Sequence, residues 1–157
     1  PMKVRDVMQE GFSAVRPETA FREAAALFKP GKGLGEGGVP SLVVLEGGRL
    51  VGIVTLTDML KAILPPYLLQ DPHLAHITWD GLLESQCEKA LNRTVREIMT
   101  QPVITIPDEA VLAEAAELLL SHHIHSVPVL RNDQVVGILY LSDLARRVFA
   151  HCATETR

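Results

Sequence analysis

A short phrase that occurs twice most constrains how this chain folds. The stretch GIVTLTD, residues 52–58, returns as GILYLSD at residues 137–143. Upstream, VRDVM at 4–8 returns as VREIM at 95–99. Two matches in the same order within 157 residues indicate an internal duplication, so both copies are predicted to form the same structural unit.

The separation between the copies changes once along the chain. It is 91 residues for VRDVM and 85 residues for GIVTLTD, so the first copy holds an insertion, which falls in KPGKGLGEGG at 29–38. This glycine-rich segment is predicted to be a flexible loop. A second interpretation stays open, in which it is a lid over the first copy's site and Lys29 or Lys32 reaches an anion.

Both copies show the order strand, helix, strand, strand, helix, which predicts an α/β fold. Apolar residues in the first helix of each copy recur at i, i+3, i+4 and i+7, as one face of an amphipathic helix requires. Gly47–Gly48 and Asn132–Asp133 separate the last two strands and predict hairpin turns. We expect the copies to pack on each other, since neither easily buries both faces of its sheet alone. The predicted strands are 13–15, 41–45, 50–55, 103–106, 126–130 and 135–140, and the predicted helices are 18–29, 58–64, 108–121 and 143–150.

The segment that connects the copies is predicted to contain a helix. Pro65–Pro66 and Asp71–Pro72 interrupt any regular structure before it. The stretch TWDGLLESQCEKALN at 78–92 then places Trp79 and several leucines on one helical face. This helix either covers the core or faces a partner or ligand.

Composition limits the classes of partner. Charged residues make up 22% of the chain and the net charge is −4, so no basic surface for nucleic acid is expected. No apolar run reaches the roughly 18 residues of a membrane span. The N-terminal sequence lacks the apolar segment of a signal peptide, and Cys87 and Cys152 are too few for a disulfide scaffold. We therefore expect a cytoplasmic protein without membrane insertion.

The ordered motifs resemble those of the CBS-domain family, named after cystathionine β-synthase. The resemblance rests on VRDVM and VREIM, on IHSVPVL before the second hairpin, and on GIVTLTD and GILYLSD. It implies an α/β fold built from a tandem pair of β-α-β-β-α repeats about a pseudo-two-fold axis. The first repeat would span 2–64, a connecting segment with a helix 65–91, and the second repeat 92–151.

The resemblance also implies a function. Pairs of this family bind adenosine compounds such as AMP, ADP, ATP or S-adenosylmethionine in the cleft between repeats, with no obligatory cofactor, and commonly form disc-like dimers. The sequence therefore predicts a regulatory ligand sensor that acts in trans on another protein, an enzyme or a transporter. The alternative is a ligand-free dimerisation or scaffold module. No catalytic residue is predicted, because no Cys–His or Ser–His–Asp arrangement stands out.

Two aspartates are the main candidates for ligand binding. Asp58 and Asp143 each follow a strand and precede a helix, where a carboxylate can accept two hydrogen bonds from a ribose diol. The hydroxyl of Thr55 and the free N–H groups of the helix can donate hydrogen bonds to a phosphate. Gly52, Thr55 and Asp58 fit the family's pattern completely. A simpler interpretation also stays open, in which Thr57–Asp58 and Ser142–Asp143 are helix caps.

The remaining candidates surround these aspartates. Tyr140 replaces the Thr of the pattern, and its ring is expected to take the space of a phosphate, so the two sites are predicted to be unequal. His125 is either a neighbour of the phosphate or part of a solvated turn. Ser41 and Val127 complete the candidate ligand-binding set.

Neither a metal site nor a monomer is expected. His123 and His125 would share one side of an extended segment, but structural zinc needs about four ligands and the segment offers no Cys or acidic residue.

The helices that close the repeats carry more apolar residues than a small core needs, which predicts a homodimer. These residues are Leu60, Ile63, Leu64, Leu144, Val148 and Phe149.

Overall fold

The computed structural model describes residues 1–28, 40–64, 66, 70–71, 73 and 81–154. The glycine-rich segment at 29–38 and the start of the connecting helix, including Trp79, lie outside the described residues. The lid interpretation and the role of Trp79 stay predictions.

Two three-stranded sheets, one in each repeat, form the centre of the protein. Each sheet joins a parallel outer strand to an antiparallel hairpin, in the orders β1-β2-β3 and β4-β5-β6. The predicted hairpin turns are confirmed, and Gly47 and Asn132 have positive φ values of 59° and 52°, which glycine and asparagine tolerate best. The strands are β1 Ser13–Val15, β2 Leu42–Glu46, β3 Arg49–Val54, β4 Ile106–Pro107, β5 Ser126–Arg131 and β6 Gln134–Tyr140.

Helices cover the outer faces of these sheets. Phe21, Ala24 and Met59 are buried in the core of the first repeat, and Ala115 and Leu119 in that of the second. The first helix of each repeat thus buries part of the apolar face that its periodicity predicts, although Ala25 is exposed. The helices are α1 Phe21–Leu27, α2 Leu56–Ile63, α3 Leu82–Ala90, α4 Val95–Ile98, α5 Leu112–Ser121 and α6 Leu141–Thr154, and a 3₁₀ turn covers Val4–Asp6.

The leading segment of each repeat, 4–9 or 95–100, packs on the other repeat. Val4 and Val7 belong to the core of the second repeat, and Val95 and Met99 belong to the core of the first. Each core is therefore completed by residues from the opposite half of the sequence.

Backbone pairing fixes this exchange. The N–H of Gln9 donates to the carbonyl of Ile138 at 2.8 Å, and the N–H of Ile138 returns a bond of 2.9 Å. Thr100 and Ile53 pair in the same way, at 2.8 and 3.2 Å. Each leading segment thus extends the edge of the other repeat's sheet.

The exchange explains where the structure differs from the predicted elements. The helices predicted at 18–29 and 108–121 begin late, at Phe21 and Leu112, because the preceding carbonyls accept bonds from the opposite leading segment. The strand predicted at 103–106 is Ile106–Pro107, which pairs with Val129 and Leu130 of β5. The N–H groups of Val95 and Arg96 donate to the carbonyls of Thr19 and Pro17, which precede the first of these helices. Those of Val4 and Arg5 donate to the carbonyls of Ala110 and Asp108, which precede the second.

A pseudo-two-fold axis passes between the repeats. Ser41 and Ser126 occupy equivalent positions, and their hydroxyl oxygens lie 2.8 Å apart. Nearby, Val43 and Ile138 are fully buried in a cluster shared by both sheets. The predicted α/β tandem fold about a pseudo-two-fold axis is confirmed.

We expect Gly137→Ala to lower the free energy of unfolding by about 1–3 kcal/mol, as overpacking does. A Cβ there would lie 2.8 Å from the carbonyl oxygen of Gln9, so backbone must shift. At Gly52 the three nearest atoms all belong to the flexible side chain of Met99, and Gly52→Ala should cost less. Urea unfolding of both variants measures the difference. Gly11→Ala is the control, because a Cβ there meets open space, and a larger loss for Gly52→Ala than for Gly137→Ala would contradict the prediction.

Candidate functional site

Asp58 is held at the start of α2 by a reciprocal cap. The N–H and Oγ1 of Thr55 donate to Asp58 Oδ2 at 2.9 and 3.1 Å, and the N–H of Asp58 donates to Thr55 Oγ1 at 3.3 Å. Thr55 is therefore the capping residue and Asp58 stands three residues into the helix. The capping role predicted for Asp58 is confirmed, but its partner is Thr55 rather than Thr57, because the helix begins at Leu56 rather than at residue 58.

The second oxygen of Asp58 reaches the other repeat. Thr100 Oγ1 donates to Asp58 Oδ1 at 2.8 Å, and Thr100 belongs to the exchanged leading segment. A carboxylate offers about four acceptor positions. Three are used by Thr55 and Thr100, so Asp58 can accept a further hydrogen bond at Oδ1 without losing a partner.

Asp143 occupies the equivalent place in the second repeat with different partners. Gln9 Nε2 donates to Asp143 Oδ2 at 3.1 Å, and Arg146 donates to Oδ1 at 3.0 Å. The side chain of Asp143 is 14% exposed and that of Arg146 is 65% exposed. Asp143 is thus neutralised by an arginine, whereas the bonds to Asp58 come from uncharged groups.

Tyr140, at the position equivalent to Thr55, is part of the protein interior. It is 5% exposed and joins Val43 and Ile138 in the cluster between the sheets. The N–H of Ser41 donates to its hydroxyl at 2.9 Å. Burial raises the pKa of the Tyr140 phenol, which the bond from Ser41 partly offsets. Instead of standing in open space, the hydroxyl ties β6 to the first residue before β2.

The other candidates lie in different surroundings. Val127 is fully buried in the core of the second repeat, and Ser41 is buried at the pseudo-two-fold axis. His125 is exposed, and its carbonyl accepts a bond from the N–H of Leu141 at 2.8 Å. The expected extended segment through His123 is wrong, because the chain turns there with φ of 53°. Within the described ranges, no group of three His, Cys, Asp or Glu residues could hold a metal ion.

A cavity of about 920 Å³ opens between the repeats, beside the chain that follows Thr100. Its walls come from β3, from the hairpin of β5 and β6, and from the segment after the cis Gln101–Pro102 bond. None of the predicted site residues lines it, although Thr100 joins it to Asp58. The lining residues are Arg49, Leu50, Val51, Gln101, Pro102, Val103, Thr105, Leu130, Asp133 and Gln134.

A smaller cavity of about 320 Å³ lies beside Asp143. Arg146, Arg147 and Gln9 line it together with Val7 and Ala150. Sequence reasoning found Asp143 but missed the larger cavity. The signal that could have found it is the pairing of Val103 with the larger Phe12 in the repeat alignment.

The comparison with known families decides the family of this chain. A model of the CBS domain matches residues 4–65 and 95–150. The chain belongs to the CBS-domain family. No helix among the described residues is both long and apolar enough to cross a membrane.

Relatives of this CBS pair differ in length. Two uncharacterized proteins of Methanocaldococcus jannaschii, MJ1404 and MJ1426, are 25% and 26% identical to it over 93% and 91% of this chain. The chain spans only 32% of the length of MJ1404 but 89% of that of MJ1426.

Solved structures share the fold of this CBS pair. The CBS-pair protein CBSX2 from Arabidopsis thaliana is 23% identical, with a TM-score of 0.72 over 97% of each chain. A further structure of CBSX2 is a complex with AMP. The CBS domain pair of MJ0100, in complex with 5′-methylthioadenosine and S-adenosyl-L-methionine, is 25% identical, with a TM-score of 0.69 over 96% of this chain and 99% of that one.

The buried Tyr140 predicts how stability changes at alkaline pH. An unfolded tyrosine ionises near pH ~10, and burial raises the pKa of Tyr140 in the folded state. The unfolded chain then loses its proton first, so stability present below pH ~10 falls as pH rises through the folded pKa. We expect urea unfolding between about pH 8 and pH 11 to show a steeper decline for the wild type than for Tyr140→Phe. Parallel declines would contradict the assignment.

Proposed function

We propose that this CBS pair is a regulatory module that binds one class of ligand, an adenosine compound, between its repeats. The observation that carries the proposal is the hydrogen bond between Asp58 and Thr100, which links a carboxylate with a free acceptor position to the chain segment, residues 101–105, that lines a large cavity. An adenosine compound offers a ribose diol for the carboxylate and a flat base for the cavity.

The chemistry of the surrounding residues fits such a ligand. The walls formed by Leu50, Val51 and Val103 are apolar and can cover the face of a base, while Gln101 and Thr105 can hydrogen-bond its edge. Both donors of Thr55 are used by Asp58, so the groups that can hydrogen-bond to a phosphate are the N–H groups at the N-terminus of α2. AMP, ADP and ATP satisfy the whole arrangement, S-adenosylmethionine, which has no phosphate, satisfies its ribose and base parts, and none is required as a permanent cofactor.

Similar proteins support the ligand class. CBSX2 has been solved with AMP, and the CBS pair of MJ0100 with two other adenosine compounds. The shared part of these molecules is the adenosine, which is the part that Asp58 and the cavity would recognise in this chain.

The proposed module is not an enzyme and acts on another protein. A ligand that bonds to Asp58 also changes the environment of Thr100, and Thr100 follows Met99, a buried residue of the first core. Binding in the cleft would therefore stabilise one arrangement of the two repeats over others, which is how a ligand passes a signal. A partner protein that binds one of these arrangements more tightly would therefore respond to the ligand.

A thermal-shift series tests the proposal. We expect AMP, ATP or S-adenosylmethionine to stabilise the protein by about 2.7 kcal/mol at 100 times the dissociation constant, and GTP to do so less. Asp58→Ala should weaken binding roughly ten- to a hundred-fold, because a hydrogen bond to a charged group is worth about 1.5–3 kcal/mol. Each variant is compared with its own ligand-free transition, because Asp58→Ala also removes a helix cap.

Asp143→Ala is the matched control and should weaken binding less, because Arg146 already neutralises Asp143. Loss of binding in Asp143→Ala with full binding in Asp58→Ala would reverse the assignment of the two halves. No stabilisation by any adenosine compound would favour the alternative, a ligand-free scaffold.

We also propose a homodimer through α2 and α6. Leu56 and Leu60 on α2 are 49% and 52% exposed, and Val148 and Phe149 on α6 are 40% and 66% exposed. Apolar helical surface of this extent favours a symmetric partner. The prediction that Leu144 belongs to this surface is wrong, because it is 5% exposed and packs in the second core, and Ile63 is partly buried against the first core.

Light scattering at micromolar concentration tests the dimer. We expect twice the chain mass of 17.2 kDa for the wild type and a shift to monomer for Leu60→Glu and Phe149→Glu, because a buried unpaired carboxylate opposes association. Leu120→Glu is the control, since Leu120 is 63% exposed but lies on α5. A monomeric wild type would contradict the prediction.

A further inference from the structure

The two halves of the cleft differ at one apolar position. Val103 and Phe12 occupy equivalent places, four residues after Met99 and Met8 in the two leading segments. Each follows the residue that pairs with the other repeat's sheet, Thr100 or Gln9. Pseudo-two-fold symmetry therefore makes them counterparts in structure as well as in sequence.

On the Val103 side the space is open. Val103 and Leu50 both line the cavity of about 920 Å³, with Gln101 and Gln134 at its polar margin. Val103 does not belong to the apolar cluster that joins the two sheets.

On the Phe12 side the space is filled. Phe12 packs against the cluster of Val43, Ile138 and Tyr140, as do both Val135 and its counterpart Leu50, so the ring of Phe12 is what distinguishes this side. An aromatic ring thus occupies the position beside the sheet where the Val103 side leaves room.

We propose that Phe12 determines the occupancy of the cleft: the half beside Val103 accepts the base of one adenosine compound, and the half beside Phe12 accepts none. This inference rests on the proposed function and names the half of the cleft that binds the adenosine compound. A ring already packed against Val43 and Ile138 covers the apolar surface on which a base would lie. A base entering there would have to displace that ring, and the displaced ring would become exposed to water. On the other side no protein side chain has to leave.

Exchanging the two residues tests the proposal directly. Titration calorimetry with AMP, and separately with S-adenosylmethionine, should give one equivalent per chain for the wild type. Val103→Phe should lower the affinity at least tenfold, because the new ring takes the place of the base. Val103→Leu is the control, because it adds only one methylene group and no ring, and it should bind within a few-fold of the wild type.

The reverse substitution opens the closed half. Phe12→Val should add a second, weaker equivalent, and Phe12→Leu, which keeps most of the packing, should not. Two equal equivalents in the wild type would overturn the proposal, as would unchanged binding in Val103→Phe or a single equivalent in Phe12→Val.

Thermal unfolding without ligand separates this inference from the proposed function. Phe12→Val should lower the melting temperature by several degrees because it removes a packed ring, whereas Val103→Phe should leave it nearly unchanged or raise it. If no adenosine compound binds the wild type, the proposed function fails, and this difference still decides whether Phe12 fills a space that Val103 leaves open. Equal losses in both variants would show that it does not.

Discussion

The structure depends on backbone hydrogen bonds that tie each leading segment to the opposite repeat, and at each sheet edge a reciprocal pair of them joins the two. Gln9 pairs with Ile138, and Thr100 pairs with Ile53. These bonds carry Val4 and Val7 into one core, and Val95 and Met99 into the other. Neither repeat can close its core alone, so the two halves of the chain fold as one unit, and the cleft between them has fixed walls.

The same exchange builds the candidate site. Thr100 pairs with Ile53 through its backbone and with Asp58 through its hydroxyl. One residue thus links the edge of a sheet, the start of α2 and the chain that lines the large cavity. A ligand that hydrogen-bonds to Asp58 contacts a residue that is itself bonded to Thr100, in the leading segment on which the packing of both repeats depends. This connection gives a regulatory role a physical basis without any additional mobile element.

Much of the fold could be predicted from the sequence, because duplication, apolar periodicity and hairpin turns are local signals. Gly47–Gly48 and Asn132–Asp133 marked the turns correctly, and the repeated phrases gave the tandem arrangement. The exchange could not be predicted, because VRDVM and VREIM are equally suited to their own repeat or to the other. For that reason the helix starts were set too early at 18 and 108, since the sequence does not reveal which carbonyls accept bonds from a distant segment.

The candidate site was predictable to a smaller extent. Thr55 and Asp58 were recognised by their pattern, but their mutual cap and the contact with Thr100 depend on tertiary structure. The open cavity was missed because its ten lining residues come from both repeats and meet only in the tertiary structure. The one local signal is the pairing of Val103 with the larger Phe12 in the repeat alignment, and a difference in side-chain volume has no periodicity.

The two halves of the cleft differ in side-chain size, and the larger side chains lie in the same half. At the backbone contacts the copies are similar: Gly52 lies against the side chain of Met99 and Gly137 against that of Met8, with the Gln9 carbonyl in addition. At the cleft they diverge, and the larger residues, Phe12 and Tyr140, both lie on one side. Both pack with Val43 and Ile138 in the cluster between the sheets. Phe12 and Tyr140 each add an aromatic ring to the same cluster and make that half of the cleft part of the protein interior, which is why our proposal assigns the ligand to the half with Thr55 and Val103.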